Sequence, residues 1–325
     1  MCTAISTRGR HHLFGRTLDL ERSYGEGLVV TPRKAPLTFR HEERMESHLA
    51  LMGVGMVRDG FPLYFDAVNE AGLGMAALNF SGSGVYHKAQ RGKGNPASFE
   101  LIPFLLARYR TVEEVLTYLR SANVTDEAFT PELLATPLHW LLADKERAVT
   151  VESVAEGLRL YDNPFGVLTN DPPFPYHAWR VRDCMQVGSV SPENRLCPAI
   201  ELEPYSRGMG GMGLPGDYSS SSRFVRAVFA GFHTDPAEDE QGEISRLFHM
   251  MDTVATPAGC VRTREGQSVR TVYTACADTD TLTYSLTTYT CRRLRALRLY
   301  DTPFEGERFV VIPIEEGEDI RYFCG

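Results

Sequence analysis

The residue with the clearest chemical potential is Cys2, the second residue of the chain. The initiator methionine is generally removed when the following residue is small, and its removal would leave Cys2 at the mature N-terminus. A free α-amino group has a pKa of about 8, so at neutral pH it can act as a base toward the thiol of its own residue. Cys2 could therefore supply both nucleophile and base, although a cysteine at this position can equally be incidental.

An arginine and an aspartate follow this cysteine at a distance that a hairpin would bring close. The apolar segments Cys2–Thr7 and Leu13–Leu18 flank a polar turn at Arg8–His12, which predicts two paired strands. Arg16 would lie on the second strand, where its cation would favour a thiolate, and Asp19 would hold a protonated amine. Since residues three apart face opposite sides of a regular strand, we expect Asp19 to lie past the strand end or at a bulge.

Three further polar residues lie at the ends of predicted elements. Asn79 ends a glycine-rich strand, and Asn170 follows a strand of the buried type. An asparagine amide at a strand end can bind an oxyanion, although such an asparagine is more often a turn residue. Arg223 lies in the first turn of a serine-capped helix, where the helix dipole disfavours a cation. Arg223 could therefore have a functional role or could form an ion pair at the surface.

The elements that position these residues are strands and helices in alternating groups. Strands are predicted at Cys2–Thr7, Leu13–Leu18, Gly53–Val57, Gly72–Asn79, Leu138–Ala143, Ala148–Val151, Leu158–Tyr161, Gly166–Thr169, Val269–Ala275 and Thr281–Thr288. Helices are predicted at Phe99–Ser121, Ser221–Phe232 and Glu243–Val254, the first with a capping box at Thr111–Glu114 in its second half. This order is typical of an α+β fold with antiparallel hairpins and not of regular βαβ units.

Composition narrows the class of protein. The chain has 325 residues, of which 43% are hydrophobic and 23% charged, values typical of a globular protein. Its formal net charge of −8 argues against a nucleic-acid-binding protein, and no apolar run reaches the length of a membrane span. No linker or repeat divides the sequence. Residues 1–325 are therefore predicted to form one domain, with Met1 removed in the mature protein.

The remaining motifs point away from a metal or an organic cofactor. Gly208–Gly213 fits the GxGxxG pattern, but Pro204 and Pro215 lie on either side of it, so no helix can begin there as a dinucleotide site requires. The histidines are scattered and form no metal-ligand pair. Seven cysteines, an odd number without a CxxC, and the absence of a secretory signal pattern predict a reduced, cytoplasmic chain.

Five segments of the sequence occur in a characteristic order: Cys2, Phe14–Asp19, Gly72–Phe80, Val167–Phe174 and Asp217–Arg226. Together they resemble the choloylglycine hydrolase family, which contains bile salt hydrolases and penicillin V acylases. The resemblance runs from the N-terminus to about residue 276, and the last fifty residues match only loosely. It implies an N-terminal nucleophile hydrolase fold of four αββα layers, in which two antiparallel sheets are packed between helices.

The resemblance also implies roles for the polar residues. Cys2 would be the nucleophile and its amine the base, Arg16 would tune the thiol, and Asp19 would orient the N-terminus. The two asparagines would line the oxyanion hole, and Arg223 would support the transition state. No metal or organic cofactor is implied. The family further implies a homotetramer, with the Leu196–Gly216 region as an assembly loop.

The residue at position 79 bears on the substrate. The resemblance implies Asn at this position in the bile salt branch and usually Tyr in the penicillin branch, so Asn79 favours bile salts conjugated to glycine or taurine. The reaction would be hydrolysis of the amide that joins the steroid acid to the amine. An acylase for penicillin V or for an acyl-homoserine lactone stays open, as does a catalytically silent ligand-binding homologue.

An amphipathic steroid needs a largely apolar pocket with few polar groups. Alignment of the motifs places the pocket loops at Leu18–Glu26, Arg58–Phe65 and Thr130–Pro137. These loops supply seven predicted substrate-binding residues: Leu18, Tyr24, Arg58, Phe61, Phe65, Leu133 and Leu134. Each apolar member could equally belong to the core, and the Arg58 cation could meet a carboxylate or sulfonate or simply point to solvent.

Overall fold

The strands of the computed structural model, which describes residues 1–314 and 316–323, pair antiparallel in two sheets. The first sheet has the order β10-β1-β2-β12-β13-β14, with β11 beside β12. Its strands are β1 Cys2–Arg8, β2 His12–Leu20, β10 Val167–Leu168, β11 Val261–Arg262, β12 Ser268–Asp278, β13 Thr283–Thr288 and β14 Cys291–Arg298. The order of the second sheet is β15-β3-β4-β5-β6-β7-β8-β9. Its strands are β3 Gly27–Thr31, β4 Leu51–Arg58, β5 Phe61–Asn69, β6 Gly74–Asn79, β7 Leu138–Ala143, β8 Ala148–Val154, β9 Gly157–Asp162 and β15 Val310–Pro313.

Helices cover the outer face of each sheet. The α-helices of the described residues are α1 Leu101–Arg108, α2 Val112–Leu119, α3 Phe174–Arg180, α4 Ser220–His233 and α5 Glu240–Asp252. One apolar cluster joins α1 and α2 to the second sheet, a second fills the space between the sheets, and a third joins α3, α4 and α5 to the first sheet. The three clusters confirm the predicted order of helix, sheet, sheet and helix. None of the described helices is long and apolar enough to cross a bilayer.

The N-terminal hairpin carries Cys2, the predicted nucleophile. Strands β1 and β2 pair along their length, with Cys2 opposite Leu18 and Ala4 opposite Arg16. Because side chains alternate along a strand, this register puts Cys2 and Leu18 together in the cluster between the sheets. Thr3 and its neighbours at odd positions face the helices instead.

The position of Asp19 corrects one expectation. Strand β2 continues through Asp19 to Leu20, so the aspartate does not lie past the strand end. The irregularity lies in β12, where the register shifts between Thr271 and Tyr273 opposite this point. Asp19 therefore faces the side opposite to Arg16, as strand alternation requires, and still reaches the N-terminus through its backbone.

The single helix predicted over Phe99–Ser121 is wrong, because the structure has two short helices there. Tyr109 is extended (φ −115°, ψ 149°), and Thr111 is an extended N-cap whose side chain accepts a hydrogen bond from the Glu114 nitrogen. The capping box was therefore the start of α2 and not an internal feature. The other two predicted helices are confirmed within three residues at each end.

Several elements escaped sequence analysis. Strands β3, β5, β14 and β15 and helix α3 were not predicted. In β5, Pro62 and Asp66 interrupt the alternation of apolar and polar residues that predicts a strand. The edge strand β14 contains four arginines, so its sequence lacks the apolar pattern of a strand. The predicted pocket loop at Arg58–Phe65 is consequently a tight hairpin, with Arg58 ending β4 and Phe61 beginning β5 after the turn at Asp59 and Gly60.

Candidate active site

Asn170 connects the segments that sequence analysis singled out. Its side-chain Oδ1 accepts hydrogen bonds from the backbone nitrogen of Cys2 at 2.8 Å and from Arg223 Nη2 at 2.7 Å. Its Nδ2 donates to the backbone oxygen of Asn79 at 2.8 Å. Four of the six predicted catalytic residues thus meet at one amide group, although they come from four separate elements of the chain.

Hydrogen bonds to the backbone fix the position of this asparagine. The Asn170 nitrogen donates to Ser220 Oγ at 2.8 Å, and its oxygen accepts from His177 Nε2 at 2.9 Å. His177 is buried and stacks on Phe224, and burial lowers the pKa of its imidazole, which favours the neutral ring with the proton on Nε2. Ser220 and His177 were missed from the sequence: Ser220 lies within the Asp217–Arg226 segment but was not singled out there, and His177 lies outside the five segments.

Arg223 uses every nitrogen of its buried guanidinium. Besides Asn170, it donates through Nη1 to the Cys2 oxygen and to Thr3 Oγ1, the latter at 2.7 Å, and through Nε to the Tyr218 oxygen at 3.1 Å. Helix α4 begins one turn earlier, where Ser219 caps it. Burial lowers the pKa of Arg223, and the charges of Asp19 and Cys2 counteract part of that effect. The arginine is therefore directed at the N-terminal residue and away from solvent.

Asp19 lies beside the start of the chain. Its backbone exchanges two hydrogen bonds with Met1, from the Met1 ammonium to the Asp19 oxygen at 2.7 Å and from the Asp19 nitrogen to the Met1 oxygen at 2.9 Å. Its carboxylate accepts from Thr271 Oγ1 at 2.6 Å. Burial raises the pKa of Asp19, while Arg223 and the hydrogen bond from Thr271 lower it. With Met1 in place, the Cys2 nitrogen is a peptide nitrogen.

Arg16 lies on the same face of the hairpin as the Cys2 side chain, which is the face opposite to that of Asp19 and Arg223. It is completely buried, and its Nη1 donates to the backbone oxygens of Phe65 at 2.9 Å and Ala77 at 2.8 Å. Its Nη2 has no hydrogen-bond partner among the described residues. Burial lowers the pKa of this guanidinium, but the charges of Tyr273, Cys2 and Asp66 outweigh burial and raise it. Arg16 is thus a permanent cation next to the thiol.

Asn79 is the half-buried last residue of β6. Its backbone oxygen accepts from Asn170, and its side-chain Oδ1 accepts from the Ser81 nitrogen at 3.2 Å. Within the described part of the chain, no group accepts a hydrogen bond from its Nδ2. This amide is consequently a donor available to a bound molecule.

The seven predicted substrate-binding residues fall into three groups. Leu18 and Phe65 belong to the apolar cluster that contains Cys2, and the ring of Tyr24 lies 6.4 Å from that of Phe65. Phe61 instead faces the α1–α2 layer, where its ring meets those of Phe39, Phe99 and Phe129. The structure therefore brings only the first group close to Cys2.

The third group lies at the surface. Arg58 and Leu133 line a cavity of about 460 Å³ together with Asp59, Phe129, Thr130 and Glu132, and Leu134 is exposed. A different cavity, of about 570 Å³, lies at the other end of β1, around Ser6, Asn163 and Phe232. None of the six predicted catalytic residues lines either cavity, so neither defines the site around Cys2.

Comparison with known proteins is consistent along the whole chain. A family model described as linear amide C–N hydrolases, choloylglycine hydrolase family, matches residues 2–312. The chain is 40% identical to a bile salt hydrolase/transferase from Lactiplantibacillus plantarum, covering 100% of this chain and 99% of that protein. It is 32% identical to a conjugated bile acid hydrolase from Lactobacillus gasseri, over 95% of this chain and 99% of that protein.

Solved structures share the fold. The C2A mutant of the conjugated bile acid hydrolase from Clostridium perfringens has a TM-score of 0.91 at 29% identity, covering 100% of both chains. Penicillin V acylase from Agrobacterium tumefaciens has a TM-score of 0.77 at 19% identity, covering 97% of this chain and 92% of that one. These likenesses confirm the predicted four-layer architecture.

Proposed function

We propose that this chain, which belongs to the choloylglycine hydrolase family of linear amide C–N hydrolases, hydrolyses the amide bond of bile salts conjugated to glycine or taurine. The names of its relatives support this substrate class. The observation that carries the proposal is the convergence of Cys2, Asn79 and Arg223 on the amide of Asn170. That convergence supplies a nucleophile, an oxyanion donor and a cation in one place.

Removal of Met1 would create the base. The nitrogen of Cys2 would then be an amine with a pKa of about 8, held by the Asn170 Oδ1 atom that now accepts from it. Removal would also break both hydrogen bonds between Met1 and the backbone of Asp19. The freed amine takes the thiol proton, and the thiolate attacks the carbonyl carbon of the substrate.

Charges on both faces of the hairpin stabilise the reacting groups. Arg16 lies on the face between the sheets and Arg223 on the face toward α4, so the thiolate forms between two buried cations. Attack places negative charge on the carbonyl oxygen. The unpartnered Nδ2 of Asn79, together with the amide of Asn170, donates to that oxygen.

The reaction closes without a metal or an organic cofactor. The ammonium of Cys2 gives its proton to the departing nitrogen, the C–N bond breaks, and glycine or taurine leaves. The acyl group stays on sulfur as a thioester. The amine then takes a proton from water, the resulting hydroxide attacks the thioester carbonyl, and the C–S bond breaks to release the steroid acid and restore the thiol.

Apolar residues beside the cysteine suit a steroid. Leu18 and Phe65 pack in its cluster, and Tyr24 extends that surface toward solvent. Because residue 79 is an asparagine and not a tyrosine, no large aromatic ring occupies the position beside Asn170. Arg58, Phe61, Leu133 and Leu134 remain proposed pocket residues that would have to act at the outer part of the substrate.

A panel of substrates tests the proposal. Amine release is measured with glycine and taurine conjugates, with penicillin V and with an acyl-homoserine lactone. We expect kcat/KM to be highest for the conjugated bile salts. A preference for penicillin V or the lactone would assign the acylase alternative, and no turnover of any amide would assign a silent binder.

Acyl transfer is a second outcome of the same intermediate. Two relatives, from L. plantarum and Bifidobacterium longum, include transferase in their names. An amine that replaces water at the thioester would give a new amide and the free thiol. Incubation of a conjugated bile salt with an excess of another amino acid, followed by mass spectrometry of the steroid products, tests this outcome.

We also infer an oligomeric state and a cellular location for the protein. The Leu196–Gly216 segment exposes a group of large apolar side chains, and such groups mark interaction surfaces. They are Leu196, Ile200, Leu202, Tyr205 and Met212. We propose that this segment packs against other copies of the chain in a homotetramer. We also propose a cytoplasmic location, which the free state of Cys184, Cys197 and Cys260 supports.

A further inference from the structure

A buried carboxylate joins the two sheets behind the nucleophile. Asp66 of β5 is 2% exposed, and its Oδ1 accepts a hydrogen bond from Tyr273 of β12 at 2.6 Å. Its Oδ2 accepts from the hydroxyl of Tyr284 on β13. Arg16 Nε lies 4.0 Å from Oδ1. No motif in the sequence pointed to Asp66, and the steps of hydrolysis described above do not use it.

A β-bulge explains how β5 places this group. The register between β4 and β5 shifts between Val54, opposite Asp66, and Gly55, opposite Tyr64, which leaves Phe65 as the extra residue. Phe65 and Asp66 therefore both reach the space between the sheets. A bulge next to an active site commonly re-aims a side chain. Here it presents two acceptors to one cation, the Phe65 carbonyl at 2.9 Å and the Asp66 carboxylate.

Arg16 consequently stands between two acidic groups. On one side is the Asp66 carboxylate, and on the other is the Cys2 thiol, which becomes negative only when it loses its proton. The negative charge of Asp66 therefore reduces the positive potential that Arg16 produces at the Cys2 thiol. An unopposed buried cation would favour a permanent thiolate, which is a weaker nucleophile than one formed from a thiol with a pKa near the working pH.

We propose that Asp66 is a positioning residue that partly neutralises Arg16 and so weakens the effect of this cation on the Cys2 thiol, whose proton its own amine then removes. The inference rests on the proposed role of Cys2 as nucleophile. Tyr273 and Tyr284 each donate a hydrogen bond to one oxygen of the carboxylate, and these bonds oppose the rise in the Asp66 pKa that burial causes.

Several other ionisable groups lie around the thiol. Tyr273 and Tyr284 stay protonated, because burial and the Asp66 charge raise the pKa of both hydroxyls. Burial raises the pKa of Asp66 itself, and Arg16 and the two tyrosine hydroxyls lower it. On the opposite face of the hairpin, Arg223, Asp19 and the N-terminal amine complete the set. Those three groups are unchanged by a substitution at position 66.

The test is the pH profile of thiol alkylation. The rate of iodoacetamide labelling of Cys2 is followed by mass spectrometry of the N-terminal peptide, which separates it from the other cysteines. Asp66→Asn keeps an acceptor for Tyr273 and removes the charge. We expect its labelling midpoint to move down by about one pH unit, the direction opposite to the shift expected for Arg16→Gln.

A matched control separates charge from packing. Tyr64→Phe changes a buried residue two positions earlier on β5 and removes its hydrogen bond with Thr31, at 2.8 Å, without touching a charge. Its midpoint should equal that of the parent protein. If Asp66→Asn fails to fold, Tyr284→Phe replaces it, since loss of one donor favours the neutral carboxyl and should also lower the midpoint.

A midpoint that stays fixed or rises in a folded variant at position 66, or that stays fixed in Tyr284→Phe, overturns the inference. The result is separable from the proposed function, because alkylation reads the acidity of the thiol without turnover. Full activity in Cys2→Ala would instead refute the nucleophile, whatever the labelling profiles show.

Discussion

Asn170 Oδ1 lies 2.8 Å from the backbone nitrogen of Cys2 and accepts its hydrogen bond, although 168 positions separate the two residues. Asn170 Oδ1 also accepts a hydrogen bond from Arg223, and Asn170 Nδ2 donates to the Asn79 carbonyl. A rotation of the Cys2 nitrogen would therefore break a hydrogen bond of this shared network. The N-terminal residue is therefore held in position before any substrate arrives. Pre-organisation of this kind is what a base on the nucleophile's own residue requires.

The first prediction concerns Arg16. Arg16→Gln removes a buried cation beside the thiol and keeps a side chain that can donate to the Phe65 carbonyl. The labelling midpoint of Cys2 should rise by about one to three pH units, because a nearby cation favours the thiolate. Arg33→Gln, which removes a surface cation paired with Glu70, should leave the midpoint unchanged. Equal profiles for the two variants would give Arg16 a structural role only.

The second prediction concerns substrate choice. Asn79→Tyr removes one donor from the oxyanion site, which should lower kcat/KM for every amide by about 10²–10³-fold. The added ring should narrow the entry of a steroid and offer a flat face to an aromatic acyl group. The ratio of kcat/KM for a conjugated bile salt to that for penicillin V should therefore fall. Asn79→Asp, which also loses the donor but adds no ring, is the control for the ratio.

If Asn79→Tyr leaves that ratio at the parent value, residue 79 does not set selectivity. The surface group of Arg58, Leu133 and Leu134 would then be the next place to look, because its cavity is open to a bound molecule.

The third prediction concerns acid stability. His12 is buried between Ser6 Oγ at 2.9 Å and Thr279 Oγ1 at 2.7 Å, and burial lowers the pKa of its imidazole from 6.5 to about 4. The unfolded chain binds this proton at a higher pH than the folded protein does. The free energy of unfolding therefore has its full value above pH 6.5 and decreases as the pH falls toward 4. Between pH 7 and pH 5 the loss amounts to about 2 kcal/mol of unfolding free energy.

Urea unfolding at both pH values measures this effect. His12→Gln should lose about 2 kcal/mol less than the parent between pH 7 and pH 5. His11 has the opposite sign, because its hydrogen bond with Asp278 raises its pKa, but it is common to both proteins. Parallel losses in parent and variant would show that His12 is not the titrating group.

The fourth prediction concerns assembly. Leu196→Asp places a charge in the exposed segment proposed as the tetramer contact, and light scattering coupled to size exclusion should show smaller assemblies. Tyr322→Asp changes a residue of similar exposure near the C-terminus and should leave the assembly intact. A tetramer that persists in Leu196→Asp, or a parent protein that is monomeric, would refute the role of the segment.

Local sequence patterns predicted the hairpin of this site, whereas the roles of the distant residues Asn79, Asn170 and Arg223 followed only from the family resemblance. The hairpin of β1 and β2 was predicted from two apolar segments around a polar turn, and Arg16 lies, as predicted, on the strand that pairs with that of Cys2. The location of Asp19 could not be derived in the same way, because the irregularity lies in β12, about 250 positions away. Register shifts of this kind depend on the partner strand and leave no trace in the segment that they affect.

The missed residues share a physical cause. Asp66 lies on β5, a strand that was not predicted because a bulge interrupts its alternation of apolar and polar residues. His177 and Ser220 contribute to the site through hydrogen bonds with the backbone of Asn170, and another residue with a suitable donor or acceptor could make the same bonds. Their roles arise from tertiary contacts and not from a pattern along the chain.

We propose that loss of Met1 frees the amine of Cys2 as the base and that the thiol of the same residue forms the acyl-enzyme. Intact-mass spectrometry of the active protein, quenched during turnover of a conjugated bile salt, measures both features. We expect a chain without Met1 that carries one steroid acyl group, located by fragmentation on Cys2. The adduct should be absent from Cys2→Ala, whose turnover should fall by several orders of magnitude. Full activity with Met1 retained, or an acyl group on another residue, would refute this role of Cys2.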